Sequence, residues 1–179
     1  MAGPVIRIAR LGLLLVLLVV LQTSLVPHLR VAGVVPDLGL VAAVALAVRF
    51  GPELGAAFGF AAGLAADLFL QTPLGLSAFA WGATAFLVGI SQARLARPTW
   101  WLRPAIAFLA GVVAGVLFVG LGALVGQSQL WALRSIRTIL LSAVYDGVAA
   151  VVIFPLAVAV AHPDPRSGTT FGASGYGPA

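Results

Sequence analysis

Arg7 and Arg10 are followed by an unbroken apolar run, Leu11 to Leu21, and similar runs recur as far as Ala161 with only single arginines, isolated acids or short turns between them. A helix crosses a bilayer with about 20 predominantly apolar residues, so the spacing of these runs decides the fold class. The remaining composition agrees. Ten arginines, no lysine and five acids make up the charge, 8% of 179 residues, against 61% hydrophobic residues and a mean hydropathy of +1.13. A soluble domain carries about a quarter charged residues to cover its surface. This chain lacks the charge for a water-facing shell, and lipid is its expected solvent.

The predicted fold is an all-α polytopic bundle of about six transmembrane helices in one domain, residues 1–161, with spans near 5–26, 34–48, 54–70, 74–92, 105–125 and 138–161. Residues 162–179 are rich in Pro, Gly, Ser and Thr and are expected to form a disordered cytoplasmic tail. The first run resembles a signal peptide, but Gln22 to Pro27 offers no A-x-A cleavage site, so it reads as an uncleaved span. The second span is the shortest. Pro36 at its first helical position and Asp37 in its first turn make a helix start. If it is only re-entrant, five crossings remain and the later polarity inverts. Arginine placement argues for six: with the N-terminus inside, Arg7, Arg10, Arg49, Arg94, Arg97, Arg103 and Arg166 are cytoplasmic, and Arg30, Arg134 and Arg137 lie outside. Trp100 and Trp101, beside Arg94 to Arg103, fit an interfacial aromatic belt.

A pI near 11.4 could point to nucleic acid, but the arginines sit between apolar runs and no nucleic-acid-binding motif is present. The chain has no cysteine, which excludes thiol chemistry, disulfides and Cys-based metal sites. His28 and His162 lie beyond opposite span ends. No phosphate loop, zinc-protease helix or nucleophile elbow occurs, so no catalytic residue, cofactor or metal is expected.

The most ordered pattern is Gly51, Gly55, Gly59 and Gly63, followed four residues later by Asp67. Residues four apart share one helical ridge. Gly51 belongs to a turn, while Gly55, Gly59 and Gly63 form a shallow groove that another helix can approach closely, from this chain or from a partner. Gly111 and Gly115, and Gly122 and Gly126, give the fifth span similar patches. Asp67 and Asp146 are the acids within spans, and an ionisable group at membrane depth usually has a partner or a wet cavity. Both fall near the level of Gln71, Thr72 and Ser142. They cap or bond neighbouring helices, with Arg134 or Arg137 as possible partners of Asp146, or else they line a ligand cavity. Tyr145-Asp146 suggests an intramembrane aspartyl protease, but the order of the two acids and the sequence Gly63 to Asp67 do not fit that family.

Val35-Pro36-Asp37 opening the second span, the continuous stretch Leu54 to Leu68 with its G-x-x-x-G-x-x-x-G-x-x-x-D spacing, and the turn Pro73-Leu74-Gly75-Leu76 together resemble the rod shape-determining MreD family. Asp37, Asp67, Pro73, Gly75 and Asp146 are the expected buried polar or structural positions. The resemblance implies a non-enzymatic subunit of the bacterial cell-wall elongation machinery. Its implied partner is an MreC-like membrane-anchored protein, which connects it to a class B penicillin-binding protein, a RodA-like glycosyltransferase and, indirectly, MreB. It also implies a fold like the substrate-binding subunits of energy-coupling-factor transporters, which leaves a vitamin- or metabolite-binding subunit as the competing expectation.

Overall fold

The computed structural model describes residues 2–24, 34–70, 74–93, 101–126 and 133–161. Among them are six helices: α1 (Ala2–Ser24), α2 (Leu38–Phe50), α3 (Pro52–Leu70), α4 (Leu76–Ala93), α5 (Leu102–Leu124) and α6 (Leu133–Ala161). Three segments are long and apolar enough to cross a membrane: Val5–Ser24, Leu102–Leu124 and Ile136–Ala161. The segments Leu38–Phe50 and Leu76–Gln92 are shorter apolar helices.

The arrangement explains why α2 can be short. It packs against all five other helices, and those five close into a ring around it in the order α1, α3, α4, α5, α6 and back to α1. Every residue from Leu38 to Ala47 is buried. A helix that is apolar all round belongs in a core, and over this stretch α2 has no exposed side. Its 13 residues span about 20 Å at 1.5 Å per residue, well short of a hydrocarbon layer of about 30 Å. The outer faces of the ring are apolar instead: Leu13, Phe60, Phe86, Val148 and Val152 are all exposed.

The ring closes tightly on α2 because small residues line the seams. On α2, Gly39, Ala43 and Ala47 recur every fourth residue and meet α3 running the other way. A Cβ on Gly55 would lie 2.6 Å from Ala47 Cα, one on Gly59 would lie 3.1 Å from Ala43 Cβ, and one on Gly39 would lie 3.1 Å from Ala62 Cβ. The α3–α4 seam is built the same way, with Gly63 against Ala78, Gly82 against Ala56 and Phe60, and Gly89 against Pro52. In α5, Gly111 faces Ala143 and Asp146, and Gly115 faces Ile139. Gly126 lies past the end of α5 at φ +87, so it serves the turn and not a packing seam. The groove along Gly55, Gly59 and Gly63 is therefore occupied by helices of this same chain, α2 and α4.

Two helix starts differ from the sequence expectation. Pro36 and Asp37 both precede α2; Asp37 is its N-cap residue, its carboxyl makes no capping bond, and no acid stands in the first turn. Pro52 is the first residue of α3, with Glu53 in its first turn. Proline is preorganised for a first helical position, and an acid there complements the helix dipole. The tail 162–179, Pro73, Arg94 and Arg97 lie outside the described residues.

Candidate functional site

Two buried aspartates, Asp67 and Asp146, are 2% and 0% exposed. Each is directed at the N-terminus of a different helix, where backbone N–H groups have no partner within the helix.

Asp67 stands four residues beyond Gly63 on the same ridge of α3, facing the start of α4. Its Oδ2 accepts from the N–H of Gly75 at 2.8 Å, Ser77 at 3.1 Å and Ala78 at 3.4 Å, and its Oδ1 accepts from Ser77 at 3.2 Å. A carboxylate among the first N–H groups of a helix is favoured by hydrogen bonding and by the helix dipole. Two glycines permit this geometry. Gly75 adopts φ +99, a conformation that side-chain-bearing residues rarely take. At Gly63 a Cβ would sit 2.5 Å from Ala78 Cα, so its absence brings the α4 backbone within reach of Asp67. The spacing of three glycines and an aspartate is thus one device: a groove that seats α4, ending in the anion that caps it.

Asp146 serves α2. Its Oδ1 accepts the Asp37 N–H at 2.7 Å across 109 residues of sequence. The two preceding carbonyls are also held, Val35 O by the Ser142 hydroxyl at 3.3 Å and Pro36 O by the Gln22 side-chain amide at 3.4 Å. Non-helical backbone inside a membrane protein is tolerated where its polar groups are satisfied by protein, and here α1 and α6 supply the partners. Val35 pairs with Ser142 and Asp37 with Asp146, so α2 runs parallel to the second half of α6. Asp146 lies about 20 Å along α6 from Leu133 at 1.5 Å per residue, which sets the start of α2 roughly halfway along that helix. On its other side Asp146 faces α5, where a Cβ on Gly111 would be 2.6 Å from Oδ2. Among the described residues that oxygen is buried without a hydrogen-bond partner. Arg137, a sequence candidate for pairing with Asp146, makes no bond to it, and its place is taken by the Asp37 N–H.

The structure therefore joins Asp37 to Asp146, and Asp67 to Gly75. Asp67 bonds to the start of α4 and Asp146 to the start of α2, and Gln71 and Thr72 lie outside the described residues. Ser142 and Gln22 carry roles that the sequence reading did not assign. Ser142 had a signal, since it stands one turn before Asp146 on the same face of α6. Among the described residues, no group of three or more His, Cys, Asp or Glu side chains could hold a metal.

Among the topology-setting arginines, Arg7 and Arg49 both lie over Phe50, with their guanidinium carbons 5.1 and 5.9 Å from the ring centroid. Arg10 is half-buried on α1, and Arg103 is exposed in the first turn of α5.

The family model for the rod shape-determining protein MreD matches residues 6–160 of the chain. No curated protein and no solved structure matches. The match takes in α1 from Ile6 onward, all of α2 to α5, all but the last residue of α6, and both aspartates with the helix starts they cap. The chain belongs to the MreD family of rod shape-determining membrane proteins.

Proposed function

We propose that this chain is a non-catalytic scaffold of the bacterial cell-wall elongation complex. It is anchored by six helices in the cytoplasmic membrane with both termini inside. It docks an MreC-like membrane-anchored protein and, through it, a class B penicillin-binding protein and a RodA-like glycosyltransferase. The family match over residues 6–160 carries this reading. The chemistry of the buried acids supports it. In transporters, helix N-termini at membrane depth receive anionic substrate groups. Here the N-terminus of α4 is occupied by Asp67 and that of α2 by Asp146. Both acids act within the fold, which weighs against a vitamin- or metabolite-binding subunit built like those of energy-coupling-factor transporters.

The ridge of Gly55, Gly59 and Gly63 is covered by α2 and α4, so partner docking is assigned to the outer face of the ring. The test is photo-crosslinking in a rod-shaped host that depends on this protein, with the photoreactive residue at Phe60 or Phe86 on one side and at Val148 or Val152 on the other. Covalent capture of the MreC-like protein from one side is expected. No capture from any outward position, in cells whose shape the tagged protein restores, would sink the proposal. A small molecule retained tightly through purification and lost in Asp67→Asn would favour the transporter reading.

A further inference from the structure

Phe50 closes α2, and its half-buried ring lies beneath two cations. Arg7 comes from α1 and Arg49 is the adjacent residue on α2. A cation over a ring face gains from the ring quadrupole. The Arg49 charge also suits the last turn of α2, where the helix dipole is negative. Neither effect explains bringing two like charges to one ring. Among the described residues neither arginine is paired with a carboxylate, and Arg7 Nε is buried with no hydrogen-bond partner. An N–H donor removed from water is costly unless an acceptor meets it. The corner thus presents two guanidinium forks and an unmet donor, and it calls for an anion with several acceptor oxygens. Phosphate fits that geometry.

The surroundings identify the source of the phosphate. Arg7 lies two residues inside the apolar segment that begins at Val5. Its neighbours Val5 and Ile8 are 66% and 70% exposed, as lipid-facing residues would be. The guanidinium therefore stands where acyl chains give way to headgroups, and its stem can run along apolar surface. A soluble phosphate would have no use for the apolar flank, whereas a phospholipid would cover both parts.

We infer that Arg7, Arg49 and Phe50 form a binding site for the phosphate of an anionic phospholipid headgroup. The inference rests on the membrane placement proposed above and not on the identity of the docking partner. Both arginines contact the phosphate oxygens. The acyl chains lie along the exposed face of α1 near Val5 and Ile8. The ring holds the guanidinium groups in place, which lowers the entropy cost of binding. The site links α1 to α2, so an occupying lipid fastens the peripheral helix to the core of the bundle.

Native mass spectrometry of the intact, delipidated protein tests this by add-back of phosphatidylglycerol, phosphatidylcholine or inorganic phosphate, each at matched concentrations. The wild type is expected to retain phosphatidylglycerol in preference to phosphatidylcholine. The double variant R7Q/R49Q is expected to lose about thirtyfold in affinity, about fivefold for each arginine near a membrane surface. R103Q, which removes a charge from α5 outside this corner, is expected to leave binding unchanged. If the glutamine variant misfolds, R7K/R49K keeps both charges without the forks and is expected to bind more weakly than wild type. Equal losses in R7Q/R49Q and R103Q would overturn the site in favour of a diffuse field. Equal retention of the two lipids, full competition by inorganic phosphate, or unchanged binding in the lysine variant would also overturn it. A wild-type protein found outside the membrane fraction would instead refute the membrane placement.

Discussion

Gly55→Ala adds one methyl group where α3 crosses α2, and two opposed effects decide its outcome. Alanine is the better helix former by about 0.8–1.0 kcal/mol. The new Cβ, however, would lie 2.6 Å from Ala47 Cα and 2.8 Å from Ala47 N, and these are backbone atoms that no rotamer change can move. Carbon atoms rest about 3.5–4.0 Å apart, so the helices must separate by about 1 Å. That opening spreads along the seam to Gly59 with Ala43 and to Gly39 with Ala62. A gap of about 0.5–1 Å forfeits a quarter to a half of each contact. Overpacking costs about 1–3 kcal/mol, which outweighs the propensity gain. Gly63→Ala is expected to behave alike, since its Cβ would meet Ala78 Cα, Ala78 N and Ser77 C at 2.5–2.6 Å. Gly12→Ala and Gly120→Ala are the controls: nothing lies within 4 Å of either new Cβ, and a small gain is expected. Unfolding free energies measured by steric trapping in bicelles separate the two classes. A Gly55→Ala protein as stable as wild type, beside a Gly12→Ala protein that gains nothing, would refute the seam argument.

Four further outcomes follow from the capped helix starts. Asp67→Asn replaces one of two accepting oxygens with a donor facing N–H groups, and a loss of about 1–3 kcal/mol is expected. Asp146→Asn can keep its single oxygen toward the Asp37 N–H and place the amide where Oδ2 meets no donor, so a smaller loss is expected; the same unfolding measurement ranks the two. Gly75→Ala meets no atom within 4 Å but must hold φ +99, so backbone strain alone is expected to cost about 1–2 kcal/mol. Removing the donors to the Val35 and Pro36 carbonyls by Ser142→Ala and Gln22→Ala is expected to cost about 1 kcal/mol each, with faster hydrogen exchange at the start of α2.

Much of this was legible in the sequence because it depends on local spacing. Long apolar runs mark helices, Gly51-Pro52 marks the α2–α3 boundary, and the fourfold spacing of Gly55, Gly59, Gly63 and Asp67 marks a ridge. The enclosure of α2 was not legible. An apolar residue that faces lipid and one that faces protein obey the same composition rule, so the run from Leu38 to Ala47 read as an ordinary, rather short span. Its own ridge of Gly39, Ala43 and Ala47 was the available signal, complementary to the glycines of α3. The bond from Asp146 to the Asp37 N–H joins segments 109 residues apart, and nothing local to either residue names the other. For Asp67 the partner is close in sequence, at Gly75, and the short turn after α3 is the signal that could name it.

Five helices enclose α2 and leave its stretch from Leu38 to Ala47 no contact with lipid. Carbene footprinting from a diazirine carried on lipid acyl chains, read residue by residue by mass spectrometry in reconstituted bilayers, tests it directly. Labelling is expected at Leu13, Phe60, Phe86, Val148 and Val152 and not between Leu38 and Ala47. Labelling of Leu38 to Ala47 as dense as that of α1 would overturn the enclosure and make α2 a span in its own right on the outside of the bundle.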